Sequence, residues 1–208
     1  MKRLLALCIA TLLTIGGWFA APAQATGVYD LPVLSAEDTT FIIDDADVLS
    51  PINETKLVTE LEQVFEKTGT KVRFVTLRHF NYGETATSFT NSLFEKWFPT
   101  PEAEANEVLV VLDTVTNDAA IRVGNGAKSE LDDSIADSVV KDTLGFFLRQ
   151  GDKYNQAFLA VEERLATVLS GQEDPGAPQV AETTTFESNF ATAEETESER
   201  NNYVTIVA

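Results

Sequence analysis

Phe41-Ile42-Ile43-Asp44-Asp45-Ala46-Asp47-Val48-Leu49-Ser50-Pro51 sets the fold class. An apolar strand runs into a turn with three aspartates, and a helix starts behind it. Ser50 is placed to cap the first free N–H groups, and Pro51 suits the first helical position. Like charges this close raise one another's pKa values unless a cation or N–H donors compensate. Two readings follow. One is a small hard-cation site, calcium or magnesium, built on Asp44, Asp45 and Asp47. The other is a solvated turn whose charge suits the positive end of the following helix.

Outward from this stretch the periodicity alternates. A strand is expected over residues 40–43 and a helix over 51–68. That helix carries Leu57, Val58, Leu61, Val64 and Phe65 on one face, and Gly69 stops it. Residues 72–77 are rich in β-formers. Phe89, Leu93 and Trp97 mark a second helix over 84–98, ended by Pro99-Thr100-Pro101. Glu107-Val108-Leu109-Val110-Val111-Leu112-Asp113 is nearly all apolar, as a central strand buried on both faces should be. A turn at Thr116-Asn117-Asp118 leads to a hairpin partner over 119–123, and helices are expected over 129–149 and 153–170. This order predicts an α/β fold. Its architecture is a three-layer α/β/α sandwich with a mixed, mainly parallel sheet of about four strands.

The ends differ from the middle. Lys2 and Arg3, an uncharged apolar run to Phe19 and the Ala23-Gln24-Ala25 motif read as a cleaved signal peptide over 1–25. Residues 26–38 have no period and read as an extended arm. The domain is expected over 39–171. Residues 172–208 read as an acidic disordered tail, with eight acids and one base between 172 and 202. The final apolar residues are too few to cross a bilayer, which takes about 20. Either they approach a C-terminal membrane anchor beyond Ala208, or this version is soluble.

The full chain carries 33 acidic against 15 basic residues, a net charge of −18. That disfavours nucleic acid, whose phosphates need basic patches. The single cysteine, Cys8, lies in the leader. The exported chain therefore has no thiolate nucleophile and no zinc–thiolate site.

Four blocks in order carry a resemblance. They are FIIDDADVLSP from Phe41, ANEVLVVLD from Ala105, AAIRVGNGAKSELDD from Ala119 and LRQGDKYNQAFL from Leu148. Together they resemble a TPM domain. The block Gly151-Asp152-Lys153-Tyr154-Asn155-Gln156-Ala157-Phe158 and the linker Ser170 to Gly176 are similar to one subgroup of that family. Its members are the photosystem II repair proteins of cyanobacteria and the plant thylakoid lumen. The resemblance implies a lumenal factor that binds photosystem II subunits or assembly intermediates. It implies oxygen ligands from the segment around Asn106 beside the aspartate turn. Some relatives are described as acid phosphatases. This chain departs from the family where an aspartate gives way to Ala105, leaving Asn106 and Glu107 as the donors there.

Three functions are expected from these signals: a binding factor without catalysis, a divalent-metal acid phosphatase, and a calcium-binding module. His79, the only histidine, has no partner visible in the sequence. Asp132 and Asp133 read as favourable charge at a helix start. Gly124-Asn125-Gly126 reads as a turn, or as a place where backbone comes close to an ion or partner.

Overall fold

A computed structural model describes residues 25–179. Four strands form one sheet in the order β1 (Ile42–Asp44), β2 (Lys71–Leu77), β3 (Glu107–Asp113) and β4 (Asp118–Val123). The first three are parallel and β4 is antiparallel to β3. Helix α1 (Pro51–Thr68) joins β1 to β2, and α2 (Ala86–Trp97) with the single turn α3 (Pro101–Glu104) joins β2 to β3. After β4 come α4 (Asp133–Ser138), a π-helical segment (Val139–Leu144), α5 (Gly145–Arg149) and α6 (Tyr154–Leu169).

The boundaries follow local chemistry. Ser50 Oγ accepts from Asn53 N at the start of α1, and Gly69 closes it at φ 73°. Thr85 and Ser88 form a reciprocal capping box on α2. Asp132 caps α4, accepting from the N–H groups of Ser134 and Ile135.

Both central strands are buried along their whole length. One face of the sheet, with Val72, Phe74, Val108 and Val110, packs on α1 and α6 through Leu57, Leu61, Phe158 and Val161. The other face, with Val75, Leu77, Leu109 and Val111, packs on Phe89, Leu93, Phe94 and Trp97 of α2. The expected three-layer sandwich is the one observed. β1 to β2 and β2 to β3 step the same way across the sheet, yet α1 and α2 lie on opposite faces. The two crossovers therefore have opposite hand, and one departs from the usual right-handed connection.

The arm before β1 belongs to the α2 layer, where Val28, Leu31 and Leu34 are buried. Its backbone carbonyls are gripped by side chains of the domain. Lys96 Nζ donates to Val28 O and Leu31 O, and Trp97 Nε1 donates to Pro32 O at 2.9 Å. Lys71 Nζ donates to Ala36 O and Asp38 O. The buried Arg73 guanidinium donates to Ser35 O, Asp38 O and Thr40 O.

Two expectations need correcting. A single helix over 129–149 is not formed. Residues 129–132 are turn, and the rest is interrupted by the π-helical segment. Ser138 and Thr143 are five apart, and i→i+5 geometry sets them on one face. Both hydroxyls accept from the buried Arg164 of α6, at 3.1 and 2.8 Å. The ordered chain also runs past residue 171. Asp174 takes the Nε–Nη2 edge of that guanidinium with both its oxygens, at 2.7 Å each, and Gly176 N donates to Asp174. The hydrogen bonds to Arg164 hold the Asp174 carboxyl below its usual range. Residues 1–24, where a leader is expected, and the acidic tail from residue 180 lie outside the described residues.

Glu162, on α6, is 6% exposed and faces Glu60 of α1. Burial first, then repulsion from Glu60, pushes its pKa up to about 7.

Candidate functional site at the carboxyl edge of the sheet

Open α/β sheets bind ligands beyond the carboxyl ends of their parallel strands. That edge carries Asp44 at the end of β1, His79 just past β2 and Asp113 at the end of β3. The aspartate turn folds around Asp44, whose carboxylate accepts from Val48 N at 3.2 Å and Leu49 N at 2.8 Å. The Thr76 hydroxyl, one strand over, donates to the same carboxylate. N–H donors therefore do the compensating work that a cation would otherwise do. Asp45 and Asp47 are exposed, with Asp47 at φ 55°. Asp45 accepts from the Thr26 hydroxyl at 3.3 Å.

Asn106 and Glu107 are elsewhere. In register, Asp44 aligns with Thr76 and through it with Leu112, whereas Glu107 aligns with Lys71 at the other end of the sheet. Five strand residues separate these levels, about 17 Å along the strand. The structure therefore does not bring the five expected ligands together. Among the described residues, no group of three or more His, Cys, Asp or Glu side chains is arranged to hold a metal ion. Asp44 is engaged by three donors and Glu107 by an ion pair, so the five residues do not form one calcium or magnesium site.

Glu107 is buried and accepts from Arg73 Nε at 3.0 Å. Burial pushes its pKa up to about 7, and the guanidinium works against that rise. Asn106 accepts from Lys71 N through its backbone carbonyl. The nearby Gly124 and Gly126 serve close packing rather than a turn at positive φ. A Cβ on Gly124 would lie 1.8 Å from Glu104 O, and one on Gly126 would lie 2.5 Å from Asn106 Oδ1. Ala105, at the family's aspartate position, accepts from Gly126 N and Ala127 N through its carbonyl.

The pair that sequence reasoning missed is His79 with Asp113. His79 Nδ1 lies 2.6 Å from Asp113 Oδ2. A carboxylate only accepts, so Nδ1 carries the hydrogen and a neutral ring leaves Nε2 as an acceptor. The Asp113 side chain is 1% exposed, and that of His79 is 50% exposed. Asp113 also accepts from Phe80 N, Val115 N and Thr116 N. Burial alone would raise its pKa, but these bonds together hold it below the usual range. The two residues lie 34 positions apart, so only strand register joins them. Tyr154 closes this edge by donating to Thr114 O and Asn117 Oδ1.

The family model of the TPM domain matches residues 42–168, from the first strand to the last helix. The chain belongs to the TPM-domain family. Similar curated proteins include a chloroplastic UPF0603 protein of rice, Oryza sativa. It is 32% identical over 170 residues, which is 82% of this chain and 56% of the relative. A chloroplastic UPF0603 protein of Arabidopsis thaliana is 32% identical over 168 residues, 81% of this chain and 58% of the relative. This TPM-domain chain spans about half the length of the curated relatives it matches. The fold is shared with the N-terminal domain of a Porphyromonas gingivalis protein solved by NMR. There the TM-score is 0.64 at 21% identity, over 76% of this chain and 99% of that one. An N-terminal domain from Corynebacterium glutamicum gives a TM-score of 0.51 at 16% identity, over 72% and 93%.

Proposed function

We propose that this TPM-domain protein is an accessory factor of the thylakoid lumen that binds photosystem II subunits or assembly intermediates during repair. It acts by binding rather than catalysis. It is exported by a cleaved leader. One observation carries the non-catalytic part. The strand-end carboxylate expected to hold a metal, Asp44, is taken up by two backbone N–H groups and a hydroxyl. The chloroplastic naming of the similar rice and Arabidopsis proteins supports a photosynthetic compartment. The test is co-purification of photosystem II subunits from solubilised thylakoids, with recovery of a null strain from high light. Normal recovery together with no co-purification would overturn the reading.

A second reading, phosphate-ester hydrolysis, is favoured by one feature. The buried Asp113 holds Nδ1 of the half-exposed His79 ring and leaves Nε2 as an acceptor, the arrangement of a general base. Release of phosphate from a model ester, at a rate lost in His79→Gln, would promote this reading over the first.

A further inference from the structure

A cleft of about 510 Å³ lies away from the strand edge, between the arm and the loop that follows β2. Residues 27–30 form one wall and residues 81–84 the other, with Ser92 of α2 at the side. Three features of this cleft belong to neither reading above. Two tyrosines in its walls are held out in solvent, Tyr29 at 90% and Tyr82 at 106% exposure. Exposed aromatic groups at a cleft are the usual anchors of protein interfaces. The Glu84 carboxylate, in the Tyr82 wall, has a buried Oε2 with no hydrogen-bond partner. Asp30, in the Tyr29 wall, commits one oxygen to Gly27 N at 2.8 Å. The cleft thus combines two carboxylates and two aromatic faces, and among the described residues no cation pairs with Glu84.

We propose that this cleft is a docking site for an arginine side chain on a partner protein. The chemistry is complementary throughout. A planar guanidinium stacks on tyrosine and donates in a fork to carboxylate oxygens, which a lysine ammonium does less well. The partly exposed Glu84 carboxylate, one of whose oxygens has no partner to hold it, is the acceptor, and Tyr29 and Tyr82 supply the stacking surfaces. Tyr29 already receives one cation, since Lys96 Nζ lies 5.4 Å from its ring centre. That lysine is spent on Val28 O and Leu31 O and does not neutralise Glu84. The cleft exists only because the arm is docked. Gly27 allows this approach, because a Cβ there would fall 2.4 Å from Asn81 Nδ2.

The proposal rests on reading the domain as a binding module, and its test is separate from that reading's. The isotope-labelled full chain is titrated with capped Gly-Ser-Arg-Ser-Gly and followed by NMR. The same peptide with citrulline for arginine keeps the shape and removes the charge. Shifts confined to residues 27–30, 81–84 and 92 are expected. Binding should weaken about tenfold or more with citrulline, and likewise in the Glu84→Gln and Tyr82→Ser variants, a loss of about 1.4 kcal/mol. Both substituted side chains lie at the cleft, so unchanged spectra elsewhere show that the variants are folded. Equal binding of the citrulline peptide, shifts spread over the acidic surface, or full binding by Glu84→Gln would each overturn the proposal. Co-purification with photosystem II would be untouched by that failure.

Discussion

Replacing Glu162 by glutamine should change how stability depends on pH. Burial raises the folded-state pKa of Glu162 from the usual 4.5 to about 7. Between these values the folded chain keeps a proton that the unfolded chain releases. The contribution is fully present below pH 4.5 and is lost as pH rises through 7. At 1.36 kcal/mol per pH unit the gap is worth about 3 kcal/mol. Glutamine resembles the protonated carboxyl in shape, and its amide can donate to Glu60. The variant and the parent should therefore be equally stable near pH 4. The variant should be more stable by about 3 kcal/mol above pH 7.5. Urea unfolding at half-unit steps from pH 4 to 8 measures the difference. Glu107 titrates in both chains, so its share cancels. A difference that stays flat with pH would refute the assignment of a buried, proton-sharing carboxyl to the α1–α6 interface.

Asp174→Ala leaves the buried Arg164 without its carboxylate and should cost about 1.5–3 kcal/mol, read from denaturant midpoints. Truncation after residue 171 should reproduce that loss. Gly124→Ala forces a methyl group onto Glu104 O and should cost about 3 kcal/mol in a thermal or urea melt, or prevent folding altogether. Asp44→Asn weakens the acceptor for Val48 N, Leu49 N and the Thr76 hydroxyl. It should lower stability by about 1–3 kcal/mol whether or not calcium is added. A loss seen only with millimolar calcium would restore the cation reading.

Much of the fold can be read along the chain because its signals are local. Ser50, Pro51 and Gly69 bound α1 within a few residues, and the Glu107 to Asp113 run announces a strand buried on both faces. The interrupted helix is not legible. Val139 and Val140 keep helical spacing with their neighbours, and the reason for the π turn, Arg164, lies on another helix. The site fails for a related reason. Three aspartates within four residues look like ligands, but the donors that satisfy Asp44 are backbone N–H groups and a hydroxyl on β2. Asn106 looked close to Asp44 through family motifs, whereas parallel register puts the two at opposite ends of the sheet. The His79–Asp113 contact also needs register, and no one-dimensional pattern carries it.

The carbonyl-gripping arm has a consequence for the order of folding. It leaves the ribosome before any of its anchors exist. Arg73 binds carbonyls 33 to 38 residues upstream, and Lys96 and Trp97 bind carbonyls 65 to 68 residues upstream. The arm can dock only after β2 has formed and α2 has packed on it. It is thus the first segment made and among the last placed. The same accounting makes residues 28–40 a foldon of their own, able to open while the sheet stays closed. Native-state hydrogen exchange should show their amides opening at a lower free energy than those of β2 and β3.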